Sequence, residues 1–210
     1  MSEVPPGPAS PREREFEALY RSDPDPWRME TSAYEAAKYD ATLRALGRPR
    51  YGTALEVGCS VGVLTARLAG RCDSVLALDV SGTALARARE RPGTSNVEWR
   101  LSEVPAGWVR RSYDLIVLSE VLYFLEPHEV RALATLAARD LASGGEIVVV
   151  NWLGEGDRTL TGDAASELFI REAKRSGFTV GQSWRTAQYR IDRVQRIRCD
   201  AAPHLRSAHG

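Results

Sequence analysis

The chain is short of cysteine, of net charge and of long apolar runs, and each shortage removes a class of protein. Three cysteines in 210 residues, Cys59, Cys72 and Cys199, follow neither a disulfide framework nor zinc-ligand spacing. No metal is therefore expected, and a reducing cytoplasm is the expected compartment. Basic and acidic residues number 28 each, for a formal net charge of zero. Without a basic field there is no footprint for nucleic acid, so a small molecule is the expected partner. No apolar run approaches the roughly 20 residues that span a bilayer, and residues 1–11 lack the apolar centre of a secretion signal. No membrane partner is expected. A hydrophobic content of 43% over this length supports one soluble domain with a sizeable core; a monomer or homodimer is expected, and composition does not choose between them.

Residues 1–11 carry Pro5, Pro6, Pro8 and Pro11 with almost nothing apolar, and read as a disordered tail. Residues 12–199 read as a single domain, and 200–210 as a frayed end without periodicity. Within 12–47 the pattern predicts a helix over 12–21, with Phe16, Leu19 and Tyr20 on one side. A proline-stiffened elbow follows, Asp23-Pro24-Asp25-Pro26-Trp27. Thr31 or Ser32 can cap a second helix that runs to Gly47, with Glu35 placed to reach back to the cap.

From Thr53 onward strands at 53–57, 74–78, 96–101, 113–118 and 145–151 alternate with helices at 61–70, 81–91, 127–142 and 162–176. The runs Val75–Leu78, Leu115–Leu118 and Ile147–Val150 are continuously apolar, as parallel strands covered on both faces require. Alternating segments 178–184 and 189–194 predict an antiparallel pair at one edge. The expected fold is therefore α/β, a doubly wound, mostly parallel seven-stranded Rossmann-like sheet with an antiparallel C-terminal edge and an N-terminal helical lid.

In such sheets ligands bind beyond the carboxyl ends of the strands, so the residues just after each strand are the candidates. After the first strand stands Gly58-Cys59-Ser60-Val61-Gly62, with Glu56 two residues before it. Asp79 and Val80 follow the second, Ser102-Glu103-Val104 the third, and Ser119-Glu120-Val121 the fourth. A dinucleotide site wants Gly-x-Gly-x-x-Gly, and here Ser60 replaces the second glycine. Each residue also has a plainer explanation. Asp79 can cap the helix near Ser81, Glu103 can be a solvated loop acid, and Cys59 can be a small packing residue.

Taken together, Glu56, Gly58, Gly62, Asp79, Glu103 and the Tyr113-Asp114-Leu115-Ile116 run resemble the S-adenosylmethionine-dependent class I methyltransferases. The resemblance implies S-adenosylmethionine as cofactor, with S-adenosylhomocysteine as product. It further implies that Asp79 binds the ribose hydroxyls, that Glu103 with the Val104 amide reads the adenine edge, and that the glycine turn underlies the methionine part. Cys59, Val80, Ser102 and Ser119 complete the implied cofactor wall.

The flanks narrow the family. Leu19-Tyr20-Arg21-Ser22-Asp23-Pro24-Asp25-Pro26-Trp27, Tyr34-Glu35-Ala36-Ala37-Lys38-Tyr39, Ser119-Glu120-Val121-Leu122-Tyr123, Asn151-Trp152-Leu153-Gly154 and Thr161-Gly162-Asp163 resemble the nodulation S (NodS-like) methyltransferases. That resemblance implies N-methylation of an amino sugar or related amine. Asn151 and Ser166 stand where histidines are expected in many relatives. Segment 12–46 is expected to be a lid, with Trp27 and Tyr34 facing the sulfonium and Lys38 meeting the cofactor carboxylate; the alternative is that its aromatics are only core contacts of an N-terminal helix pair. Tyr20, Trp27 and Trp152 are the candidate substrate contacts. Glu120 and Tyr123 are the candidate catalytic pair, sharing a face if a helix follows the fourth strand, with His128 as the other candidate. An O-methyltransferase acting on a natural-product hydroxyl, or a non-catalytic cofactor-binding protein, would use the same core.

Overall fold

Leu115–Leu118 and Ile147–Val150 can exclude water from both faces only between two layers of helix, and that demand builds the centre of the molecule. The computed structural model describes residues 9–156 and 158–197. What the sequence suggests for the remainder of the two ends, including residues 200–210, lies outside the described residues.

Two helices lead, α1 (Pro11–Ser22) and α2 (Ala33–Ala45). The chain then runs β1 (Tyr51–Val57), α3 (Val63–Ala69), β2 (Cys72–Asp79), α4 (Gly82–Arg89), β3 (Val97–Leu101) and β4 (Tyr113–Ser119). It continues through α5 (Pro127–Asp140), β5 (Leu141–Trp152), α6 (Gly162–Arg175), β6 (Phe178–Arg185) and β7 (Tyr189–Arg196). One seven-stranded sheet has the order β3-β2-β1-β4-β5-β7-β6. The first five strands pair in parallel, and β7 runs antiparallel to both β5 and β6. Strand order reverses beside β1, so a crevice opens beyond the carboxyl ends of β1 and β4.

The two faces of the sheet follow from the period of two along each strand. Leu55, Val57, Ile116, Leu118, Ile147 and Val149 pack with Leu133, Ala137, Phe169 and Ala173 of α5 and α6. Ala54, Leu115, Val117, Val148 and Val150 pack with Tyr39, Ala45, Leu64 and Leu68 of α2 and α3. Glu56 falls on this second face, a carboxylate in an otherwise apolar layer.

Several boundaries differ from the sequence reading, each for a local reason. Pro11 belongs to α1 rather than to a tail: it opens the helix, and Ser10 caps it by accepting the Glu13 N–H at 3.0 Å. Helix α3 starts at Val63 because Gly58, Ser60 and Gly62 all take positive φ. Helix α5 ends at Asp140, where the chain passes directly into β5, whose pairing with β4 shifts register between Tyr113 and Leu115. After β4 there is a single 3-10 turn, Leu122–Phe124, in place of a helix. The outermost strand at the antiparallel edge is β6, since β7 returns to pair with β5.

Candidate active site

The turn after β1 is held against β2, with the Gly58 and Cys59 N–H groups donating to the Leu78 carbonyl at 2.8 and 3.0 Å. Gly58 has φ +79°, and a Cβ there would overlap Val121 Cγ2 and lie 3.1 Å from the Ser119 carbonyl. Only glycine lets β4 come this close. Asp79 organises the same turn from the end of β2: its Oδ2 accepts the Ser60 N–H at 2.7 Å and its Oδ1 the Ser81 N–H at 2.9 Å. Ser81, not Asp79, caps α4. Burial outweighs those backbone donors and raises the Asp79 pKa. Glu56 is 1% exposed with Oε2 unpartnered. Burial drives it up to about 7, the Thr65 hydroxyl opposing and the Asp79 charge adding to the rise.

Helix α1 lies across this turn and is fastened at three points. Glu17 accepts the Ser81 hydroxyl at 2.7 Å, the Thr83 hydroxyl at 2.6 Å and the Thr83 N–H at 3.2 Å. Although burial acts to raise it, these donors hold its carboxyl at about 2. The Tyr20 and Ser60 hydroxyls share a hydrogen bond. Arg12 donates to Glu103 Oε1 at 2.5 Å, to Glu129 Oε2 at 2.6 Å and to the Phe124 carbonyl at 3.2 Å. Glu103 is thus ion-paired with α1 rather than solvated. The elbow after α1 places Trp27 against Phe16 and Tyr20, at ring-centroid separations of 6.1 and 5.7 Å.

Facing the glycine turn is a cluster of charges. Lys38 Nζ donates to Glu120 Oε1 at 2.6 Å and to Glu35 Oε1 at 3.0 Å. Glu120 Oε2 accepts the Tyr123 hydroxyl at 2.6 Å and the Trp152 N–H at 2.9 Å. Glu120 sits at φ +57°, a strained position for a non-glycine residue that persists because three donors hold its side chain. Burial would lower the Lys38 pKa, but Glu120 and Glu35 outweigh it and keep the ammonium charged. Burial first, then Glu120, push the Tyr123 phenol well above its usual value, and burial takes Tyr34 up to about 12. Neither phenol is a base near neutrality.

These elements enclose one cavity of about 790 Å³. It is lined by Tyr20, Trp27, Tyr34, Lys38, Glu56, Gly58, Cys59, Asp79, Val80, Ser102, Glu103, Val104, Ser119, Glu120, Tyr123 and Trp152, all of them candidates from the sequence. Trp27 and Trp152 are each 38% exposed at its mouth.

One expectation needs correction, and three positions gain detail. Gly62 does not line the cavity; its missing side chain makes room for Trp99 and Ala88, which a Cβ would approach to 2.8 and 3.0 Å. Lys38 lines the cavity with two of its three N–H donors on Glu35 and Glu120. Glu120 is the hub of three hydrogen bonds, through which Tyr123 is oriented. His128 is exposed in the first turn of α5 and stands outside the cavity.

Arg12 and Glu35 are among the lining residues that were not singled out for the site. Arg12 gives no local signal. Glu35 was expected to turn back to the helix cap, yet Ser32 receives only the Glu35 N–H, at 3.3 Å, and the carboxylate enters the cavity. The period of α2 held the clue, since Glu35, Lys38 and Tyr39 share one face. Asn151 and Ser166 form a buried pair, the Asn151 amide donating to the Ser166 hydroxyl at 2.8 Å, and neither lines the cavity. Among the described residues no cluster of His, Cys, Asp and Glu could hold a metal ion, and no helix is long and apolar enough to cross a membrane.

Comparison with known proteins gives a consistent result. The family profile of Nodulation protein S (NodS) matches residues 13–149. Nodulation protein S of Sinorhizobium fredii is 38% identical over 121 residues, covering 57% of this chain and 55% of that protein. The protein of the same name from Bradyrhizobium diazoefficiens is 38% identical over 123 residues, covering 55% of this chain and 59% of that one. The matched stretch thus spans little more than half the length of these relatives. In three dimensions the N-methyltransferase NodS of Bradyrhizobium japonicum, solved with S-adenosyl-L-homocysteine, superposes with a TM-score of 0.73 at 23% identity. The alignment covers 88% of this chain and 97% of that one.

Proposed function

Because the chain belongs to the Nodulation protein S family, we propose that it is an S-adenosylmethionine-dependent methyltransferase acting on the nitrogen of a small amine, an amino sugar or a related compound. The observation that carries the amine reading is the cluster of Glu35, Lys38 and Glu120. Two carboxylates around one ammonium leave the cavity wall with a net negative charge. An acceptor hydroxyl does not need such a wall, whereas an amine arriving as its ammonium is drawn to it.

The residues present fit the cofactor. Gly58 provides a turn that any side chain would block, and Glu56 Oε2 is a buried acceptor without a donor. Asp79 and Glu103 place carboxylates at the ends of the neighbouring strands. When bound, the cofactor supplies a methyl carbon on a sulfonium leaving group. Asp79 holds the glycine turn in shape through Ser60, while α1, fixed by Arg12, Glu17 and Tyr20, closes over the turn and excludes water. Glu120 holds Lys38, Tyr123 and Trp152 in one arrangement on the acceptor side. The arriving ammonium must first give up a proton to water or to a wall carboxylate, since only the free amine has the lone pair that attacks as the carbon–sulfur bond breaks; in-line displacement then gains much of its rate from such alignment. The exposed faces of Trp27 and Trp152 at the mouth offer flat apolar area to a sugar ring.

The test is a transfer assay with methyl-labelled cofactor on a panel of amino sugars and of simple phenols. Label is expected on an amino sugar. Label on phenols with the amines untouched would replace this reading with O-methylation.

A further inference from the structure

The geometry points to Glu35 as the carboxylate that receives the acceptor's ammonium group, an inference that rests on the amine reading above. Glu35 and Glu120 flank the same lysine but are not equivalent. Glu120 has donors on both oxygens, with Lys38 on Oε1 and both the Tyr123 hydroxyl and the Trp152 N–H on Oε2. Glu35 has Lys38 on Oε1 alone, and its Oε2 is buried with no donor among the described residues.

The groups that could have satisfied this oxygen do not do so. The Tyr39 hydroxyl lies beside the Glu35 carboxylate, whose charge and hydrogen-bonding pull add to burial in holding it protonated, but it stays outside the reach of a hydrogen bond to Oε2. The Tyr34 hydroxyl is itself buried without a partner. The Lys38 ammonium sits 5.0 Å from the Tyr34 ring centroid and is already shared between the two carboxylates. A buried carboxylate oxygen without a donor is a standing penalty for the folded protein. On a cavity wall the penalty is relieved by a ligand that brings the donor.

Charge states what that ligand is. Glu35, Lys38 and Glu120 sum to one negative charge, and a single ammonium brings the cluster to neutrality. Beside S-adenosylhomocysteine, which has lost the sulfonium charge, a neutral hydroxyl would leave the cluster's charge uncompensated. Glu35 thereby becomes the residue that separates an amine from its hydroxyl counterpart, and the Tyr34 hydroxyl stands ready as a second partner for the same group.

The experiment measures binding to the complex with S-adenosylhomocysteine, using glucosamine as the probe and glucose as its neutral counterpart, at a pH where the amine is protonated. The native protein is expected to favour glucosamine about tenfold or more, equivalent to about 1.4 kcal/mol. Glu35→Gln is expected to bind the two sugars within about twofold of each other, and S-adenosylhomocysteine within about twofold of native, which also shows that the variant is folded. A Glu35→Gln protein that keeps the glucosamine preference would overturn the assignment. So would one that loses S-adenosylhomocysteine while keeping that preference, since Glu35 would then serve the cofactor. A native protein that binds S-adenosylhomocysteine yet treats the two sugars alike sinks the role of Glu35 and leaves the cofactor reading standing. A native protein that binds no S-adenosylhomocysteine refutes the reading beneath it.

Discussion

Gly58 and Gly93 share a backbone conformation, at φ +79° and +76°, but differ in what surrounds them. Alanine at either position must occupy the left-handed region, which costs about 1–2 kcal/mol. At Gly93 no atom lies within 4 Å of the new methyl, so that is the whole effect. At Gly58 the methyl overlaps Val121 Cγ2 and lies 3.1 Å from the Ser119 carbonyl, a backbone atom of a central strand. Overpacking of that kind adds about 1–3 kcal/mol. For a chain of this size each kcal/mol moves the melting midpoint by about 2–4 °C. Gly93→Ala should therefore lower the midpoint by about 2–8 °C, and Gly58→Ala by about 4–20 °C.

Function separates a third variant. Gly62→Ala crowds the Trp99 ring and Ala88, away from the cavity, and should lose stability with little change in S-adenosylhomocysteine affinity. Gly58→Ala, on the cavity wall beside Glu120, should lose both. Calorimetric melting and titration with S-adenosylhomocysteine measure the two effects. Equal midpoints for Gly58→Ala and Gly93→Ala, or a larger affinity loss in Gly62→Ala than in Gly58→Ala, would refute the reasoning.

Three further outcomes are expected. Glu56 has a folded pKa of about 7 against an ordinary 4.5, so its contribution is present below the ordinary value and lost as pH rises through 7. That amounts to about 3 kcal/mol between pH 5 and pH 8, and urea midpoints at the two pH values should show it in the native protein and much less in Glu56→Gln. Glu17 has the opposite sign: its carboxyl is held at about 2, so the fastening of α1 is present above the ordinary value and weakens as pH falls toward 2. Glu17→Ala should speed proteolytic cleavage in the 23–32 elbow several-fold at neutral pH, and an unchanged cleavage rate would show that α1 is held by other contacts. Glu120→Gln and Tyr123→Phe each disturb a hydrogen bond of the hub, worth about 1–3 kcal/mol. Turnover should fall about tenfold or more with S-adenosylhomocysteine affinity kept within about threefold; normal turnover in both variants would remove the hub from the mechanism.

Much of this architecture is legible in the chain because its signals are local. Continuous apolar runs mark strands covered on both faces, and the glycine turn after Val57 marks where the first crossover begins. Residues that follow strands must gather at one end of a parallel sheet, so the chain alone puts Asp79, Glu103 and Glu120 in one crevice. The two glycines of the turn look alike in sequence but do different work. Gly58 admits β4 to the cavity wall, while Gly62 admits Trp99 to a packed surface, and only the neighbours tell them apart.

The order of apolar and polar residues by itself determined the doubly wound sheet, its antiparallel edge and the general location of the cavity, because periodicity and strand-end placement act over a few residues at a time. Partnerships between distant side chains were decided by the tertiary structure alone. Arg12 meets Glu103 and Glu129 only after α1 has crossed the crevice. Lys38 meets Glu120 only once α2 has packed on the sheet and brought it to the residue after β4. Charges separated by 80 residues or more carry no mark in the chain of which will pair, since that choice is made by distances and burial that exist only in the folded protein.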